Sequence, residues 1–245
     1  MLLGLLLSGL IGLSLGLIGG GGSIITVPLL VYVIGVAPHE AIPMSLAVVG
    51  ATSLVGAALH HRRDRVVWRT GMLFGSSGIV GAFFGSRLTY LVGPRTLLLI
   101  FASLMLVVAT LMLVRTDRVE GETDHRAVLW KAIAAGACVG VLTGFLGVGG
   151  GFLIVPALML FGHLRVKEAI GTSLVVIAIN CGAGLAGHLR FGGLNIPLTA
   201  LVGAFAVSGA LFGTLIAGRT SPATLRKGFA FFVIAVALFL VVRNV

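Results

Sequence analysis

Charge is scarce in this chain of 245 residues: Asp, Glu, Lys and Arg make up 10% of it. A soluble domain carries about 25% charged residues. So little charge cannot cover a water-facing surface, and a soluble domain is excluded. A disordered chain is excluded too, because disorder goes with low hydrophobicity. Cysteine is nearly absent, with Cys138 and Cys181 in separate apolar stretches. That rules out a disulfide scaffold and a cysteine-based zinc motif. Only seven residues are acidic, and none lies in the middle of an apolar run. Carboxylates inside the membrane mark most proton relays, and hard cations need them as ligands, so neither an acid-switched pump nor a carboxylate cation site is expected. A Walker A sequence, an H-E-x-x-H helix and a G-x-S-x-G elbow are all missing. The chain is therefore expected to be no enzyme and to hold no metal or cofactor. Aromatic residues make up 7% and form no clusters with basic residues suited to stacking on bases. The net charge of +10 thus points to no nucleic acid. The basic residues sit between apolar runs, where they read as orientation signals in a lipid bilayer.

What is abundant is apolar: 58% of the residues are hydrophobic, and the mean hydropathy is +1.16. A membrane helix needs about 20 apolar residues. Candidate runs are 1–18, 24–36, 41–59, 71–92, 96–114, 128–146, 152–162, 169–187, 198–218 and 223–242. Runs 24–36 and 152–162 are too short to cross comfortably, and each follows a glycine cluster. The first run lacks a basic flank and a small-residue cleavage site, so it reads as structure and not as a signal peptide.

The chain repeats itself at an offset of 128 without gaps, with 32 identities over positions 12–114. Gly12-Leu-Ser-Leu-Gly-Leu-Ile-Gly-Gly-Gly-Gly-Ser23 lies over Gly140-Val-Leu-Thr-Gly-Phe-Leu-Gly-Val-Gly-Gly-Gly151, and Pro28 lies over Pro156. Glu40-Ala-Ile-Pro-Met-Ser-Leu46 lies over Glu168-Ala-Ile-Gly-Thr-Ser-Leu174, and His60 and Arg62 lie over His188 and Arg190. Matched Gly, Pro, Glu and His positions are not a by-product of shared apolar composition. The expected fold is all-α and polytopic, with repeats 1–114 and 128–245 joined by a mixed-charge cytoplasmic linker, 115–127. Each repeat is a glycine-broken helical hairpin followed by three transmembrane helices.

Basic residues decide between parallel and inverted copies. If each broken segment is a hairpin returning to its starting side, the copies are inverted. One side then receives 13 Lys/Arg and the other three, with Arg87 inside a run set apart. If each broken segment crosses once, the split is only ten against six. The inverted arrangement is the expectation.

The candidate site starts from Gly19, Gly20, Gly21, Gly22 and Ser23 and from Gly147, Gly149, Gly150 and Gly151. An unpaired amide in hydrocarbon costs several kcal/mol, so such a break must be buried in protein or line a wet cavity. The short helix that follows offers free N–H groups and about half a positive charge, which suits an anion. Broken helices at a repeat interface commonly carry the substrate of secondary transporters. The competing reading is close helix packing through small residues. It is the better account of Gly75, Gly78, Gly81 and Gly85, and of Gly203, Gly209 and Gly213.

Hydroxyls of Ser45, Thr172 and Ser173 complete the expected shell, with Thr52 and Asn180 one turn and more further on. Seven residues separate Ser45 from Thr52 and Ser173 from Asn180, which keeps each pair on one helix face. The ordinary alternative is that these side chains bond back to their own helices. Glu40 and Glu168 open the same helices, where a carboxylate offsets the dipole. His60 and His188 close them and read as interface caps, with a gate as the lesser alternative.

The second copy, Gly144-Phe-Leu-Gly-Val-Gly-Gly-Gly-Phe-Leu-Ile-Val-Pro156 with Gly171-Thr-Ser-Leu174, resembles the TauE/SafE sulfite exporter family of anion permeases. The resemblance spans about residues 8–240; the first copy departs from the pattern at Pro43-Met44. Members are usually described with seven or eight transmembrane helices, whereas the reading above gives six full crossings and two broken hairpins. The resemblance implies a multi-pass inner-membrane protein that moves a small sulfur oxyanion, such as sulfite, or an organosulfonate. The expected mechanism is alternating access around a midplane site at the two helix N-termini. An anion channel and a non-transporting membrane scaffold are the alternatives, and a homo-oligomer is left open.

Overall fold

A computed structural model describes residues 2–20, 22–88, 94–114, 125–146, 151–188 and 195–244. All of the regular structure among them is helical. In the first half lie α1 (Leu2–Ile18), α2 (Gly22–Leu29), α3 (Pro38–His61), α4 (Trp68–Leu88) and α5 (Pro94–Val114). In the second half lie α6 (His125–Leu146), α7 (Gly151–Leu160), α8 (Val166–His188), α9 (Ile196–Arg219) and α10 (Pro222–Asn244). The linker residues 115–124 lie outside the described residues, and α6 begins at His125, three residues inside the stretch read as linker.

Each apolar run becomes one helix because, in hydrocarbon, only a helix satisfies its own backbone locally. Glu40–His61, Val166–Ala186 and Ile196–Arg219 are long and apolar enough to cross a membrane. The exterior carries large apolar side chains, among them Leu10, Leu54, Phe84, Phe212 and Phe231. The interior holds Ser8, Thr26, Ser45, Thr52, Ser53, His60, Thr172 and Ser173. Apolar outside with small polar groups inside is the arrangement that a lipid solvent selects.

α1 and α2 form a hairpin. Gly22 packs on Leu15 near the turn, and Gly4 lies against Ile34 at the open end. α2 runs on as a π-helical turn, Leu30–Ile34, closed by Gly35 in the left-handed region, with φ 83°. That conformation is cheap only for glycine.

α3 packs against α8 with the chains antiparallel. Leu46 meets Gly184, Gly50 faces Cys181, Gly56 meets Leu174 and His60 meets Gly171. α1 packs along α9, α4 along α6, and α5 against α10. Small residues set these contacts. A Cβ at Gly12 would overlap the Ala206 carbonyl, and one at Gly209 would overlap the Gly9 carbonyl. Between α4 and α6, a Cβ at Gly140 would overlap the Gly78 carbonyl, and one at Gly81 the Ala137 carbonyl. Without side chains at these points the helix backbones touch, and van der Waals contact does the work that the hydrophobic effect does in water. The packing reading of Gly81 and Gly209 is thus the one the structure bears out.

Candidate functional site

The first glycine cluster breaks the helix where expected. α1 ends at Ile18, and Gly19 adopts φ 80°. Its N–H still closes α1 by donating to the Leu15 carbonyl at 2.8 Å. Its own carbonyl turns toward α8 and accepts from the Ser173 hydroxyl at 2.7 Å. A side chain at Gly19 would be strained in backbone and would sit 2.8 Å from Ser173 Oγ and 2.9 Å from Ile170 Cα. Glycine is required here on both counts.

Two broken helices start side by side. α2 starts at Gly22 and α7 at Gly151. The point where a Gly151 Cβ would lie is 2.5 Å from Ser23 Oγ and 2.7 Å from the Gly20 carbonyl oxygen. Ser23 donates to that same carbonyl at 2.9 Å, and Thr26 donates to the Gly22 carbonyl at 2.9 Å. α7 has 10 residues, or about 15 Å of rise, half of a hydrocarbon core of about 30 Å. The first N–H groups of α2 and α7 have no partner within their helices, and both ends carry positive partial charge. The pair is therefore an electropositive, side-chain-poor point inside an apolar bundle. Gly21, Gly147, Gly149 and Gly150 lie outside the described residues.

The hydroxyls tie this point down. Ser173 is fully buried, and its oxygen is also 2.8 Å from the Ile170 carbonyl, so one proton is shared between two acceptors. Thr172 accepts from the Val67 N–H at 3.0 Å, joining the start of α8 to the loop after α3. Ser45 donates to the Ile42 carbonyl at 2.8 Å, and Thr52 to the Val48 carbonyl at 2.6 Å. In this state the ordinary helix back-bonding alternative describes Ser45 and Thr52. Gly19 and Ser173 are brought together, as are Gly20, Ser23 and Gly151; no hydrogen bond joins Thr52 to Asn180.

Asn180 differs from the hydroxyls. Its Oδ1 is buried without a hydrogen-bond partner. The amide lies 3.9 Å from the Cβ position of Gly78 on α4. Ser53 is a buried residue that the motif reading missed, and its hydroxyl is likewise without a partner. The available signal was spacing: Ser53 is seven residues before His60 and three after Gly50, on the stripe facing α8. His60 is buried beside Gly171, and neither ring nitrogen has a partner. It is therefore an interior residue rather than the interface cap expected from its position at a helix end. Glu40 and Glu168 lie in first turns as expected, and Glu168 Oε2 accepts from the Arg165 N–H at 3.0 Å. Among the described residues no three His, Cys, Asp or Glu side chains gather as metal ligands would.

Comparison with known proteins agrees with this picture of a membrane bundle. A "Probable membrane transporter protein" of Xylella fastidiosa strain 9a5c is 38% identical, over 96% of this chain and 93% of its own. The "Probable membrane transporter protein YdhB" of Bacillus subtilis is 29% identical, over 83% of this chain and 85% of its own. A "Probable membrane transporter protein" of Haemophilus influenzae is 28% identical over 97% of both chains. No solved structure gives a significant match. The profile of the family described as sulfite exporter TauE/SafE matches residues 4–240. The chain belongs to the TauE/SafE family, and is a multi-pass membrane transporter and not an enzyme.

Proposed function

We propose that this transporter carries a small sulfur oxyanion or organosulfonate by alternating access, with the anion held where the two broken helices start. The observation that carries the reading is the contact of Gly151 with Gly20 and Ser23, which puts two helix N-termini at one buried point. Amides of Gly20–Ser23 and Gly147–Gly151 bind the anion without side-chain charge, the Gly19 N–H being taken by the Leu15 carbonyl. Ser173 and Thr172 lie on its α8 side, the Ser173 hydroxyl turning from backbone carbonyls toward the ligand and Thr172, which accepts from the Val67 N–H, donating its own proton. Ser45 lines the path at the other end of the α3–α8 pair, where Leu46 meets Gly184. Thr52 and Asn180 extend the path at the middle of α3 and α8. The choice of a sulfur anion follows the family's description as sulfite exporters.

The mechanism needs two units that can rock against each other. In this reading residues 1–114 and 128–245 are inverted repeats, joined by the linker 115–127. Two observations support it. α3 and α8 are matched at the offset of 128, yet they run antiparallel. The Gly12–Ala206 contact of α1 with α9 becomes, at the same offset, the Gly140–Gly78 contact of α6 with α4. The α1–α2 hairpin, with Gly4 beside Ile34, returns to its starting side, as the charge arithmetic requires.

Purified protein in liposomes loaded with unlabelled sulfite tests the reading. Accelerated uptake of radiolabelled sulfite against the internal pool is the expected result, because an alternating carrier exchanges. Rapid uptake with no acceleration would make the protein a channel. No uptake of sulfite would remove sulfite as the cargo.

A further inference from the structure

Three cations converge on the end of α9. Arg63, just after α3, donates from Nη1 to the Thr214 carbonyl at 3.1 Å. Lys167, in the first turn of α8, donates to the Gly218 carbonyl at 3.4 Å. The space that a Gly218 side chain would need is filled by the Arg63 guanidinium, and Arg65 Nη1 is 3.8 Å from the same point. Arg65 Nη1 is buried without a partner. Burial first, and Arg63 second, hold the Arg65 guanidinium below its usual range. Asp64 lies between the two arginines in sequence and is exposed. Among the described residues it forms no ion pair with either. A helix C-terminus supplies about half a negative charge, which is far short of three cations. Capping of α9 explains the bonds of Arg63 and Lys167, but not the gathering of Arg65 with them.

A groove of about 410 Å³ opens beside Arg63 of this cluster. Leu59 of α3 and Leu211, Phe212 and Leu215 of α9 wall it, with Arg63 at one end and Ser208 toward the other. The three α9 walls are exposed apolar side chains, which in a bilayer face lipid tails. Ser208 to Leu215 is seven residues, about 10 Å of helix rise, most of the depth of one leaflet's hydrocarbon.

We propose that this corner is a binding site for an anionic phospholipid, with the phosphate on Arg63, Arg65 and Lys167 and an acyl chain along the groove. The charge excess selects a net negative headgroup, since a zwitterionic lipid would bring its own ammonium to the cluster. The apolar groove selects a lipid over free phosphate. Basic pockets between membrane helices are a known means of binding anionic headgroups. The site is separate from the broken helices and stands whether or not they bind substrate.

Native mass spectrometry of the full chain in detergent tests the assignment, with dioleoyl phosphatidylglycerol, dioleoyl phosphatidylcholine and inorganic phosphate added separately. Phosphatidylglycerol should bind at least tenfold more tightly than phosphatidylcholine, and inorganic phosphate should not bind. Each basic residue near the surface contributes about fivefold. Arg63→Gln with Lys167→Gln should therefore weaken phosphatidylglycerol about 25-fold and leave phosphatidylcholine unchanged. Should that pair of changes prevent folding, Ser208→Trp obstructs the groove and leaves every charge in place. It should weaken phosphatidylglycerol at least fivefold. Equal binding of the two lipids, binding of phosphate alone, or full affinity in Ser208→Trp would overturn the proposal.

Discussion

Gly151→Ala is the smallest change that separates the two broken helices. The new methyl would lie 2.5 Å from Ser23 Oγ and 2.7 Å from the Gly20 carbonyl oxygen. The Ser23 side chain can turn away once it gives up its 2.9 Å bond to Gly20. The Gly20 carbonyl is backbone and cannot. Ordinary contact begins at 3.4 Å, so the starts of α2 and α7 must part by about 0.7 Å. Overpacking of this size costs about 1–3 kcal/mol, and Gly151, as the first residue of α7, gives back none of the propensity that an interior glycine would. The protein should therefore fold with a modestly lowered melting temperature. Function should suffer more. Misplacing a binding shell by about 1 Å can cost up to roughly 100-fold in a rate, so sulfite exchange in liposomes should fall at least tenfold. Gly203→Ala makes the same change where the nearest atom is Val48 Cγ2 at 3.9 Å. It should leave both melting and exchange as they are. Wild-type exchange in Gly151→Ala would refute the assignment of substrate to the helix starts.

Other perturbations separate holding residues from binding residues. Ser173→Ala leaves the buried Gly19 carbonyl without its donor and should cost about 1–3 kcal/mol, read as a lowered thermal unfolding midpoint in detergent. Thr172→Val removes the acceptor of the Val67 N–H and should cost a similar amount, with the loop after α3 exchanging its amide protons faster. Asn180→Leu should be neutral or stabilising, because its Oδ1 is buried without a partner and an unpaired buried amide carries a cost. Its exchange rate should nevertheless fall at least tenfold, and an undiminished rate would remove Asn180 from the path. Gly209→Leu drives a side chain into the Gly9 carbonyl and should cost 3 kcal/mol or roughly more, as overpacking with no room to relax, seen as loss of monodisperse protein.

Much of the fold could be read directly because the membrane simplifies it. An apolar run must be helical, and four consecutive glycines interrupt helix propensity without giving a packing spacing, so the break after Ile18 was legible. Helices start two or three residues before several runs, as with Pro38 before 41–59 and Trp68 before 71–92. Helical backbone continues through Pro, His and Trp at the water interface, where a hydrophobicity pattern has already ended. The π turn at Leu30–Ile34 had no sequence signal. Gly12 was read within the glycine motif, but its job is contact with Ala206, which local sequence cannot reveal. The hydroxyls mark the main gap between type and role. Chemistry alone marks Ser173 and Thr172 as anion donors, but which partner a hydroxyl takes depends on a carbonyl 154 residues away as its acceptor in one case and on a loop N–H as its donor in the other. His60 was read from its place at a helix end, and burial beside Gly171 needs knowledge of the α3–α8 register.

The most direct test of the central claim is the thermal stability of the purified wild-type protein against sulfite, thiosulfate, sulfate, taurine, sulfoacetate, acetate and chloride. A ligand at 100 times its dissociation constant should stabilise the protein by about 2.7 kcal/mol. Twin helix starts that bind a sulfur anion predict a raised unfolding midpoint with one or more sulfur anions and none with acetate or chloride, lost in Gly151→Ala and retained in Gly203→Ala. An equal response to every anion, or a sulfur-specific shift that survives in Gly151→Ala, would contradict it.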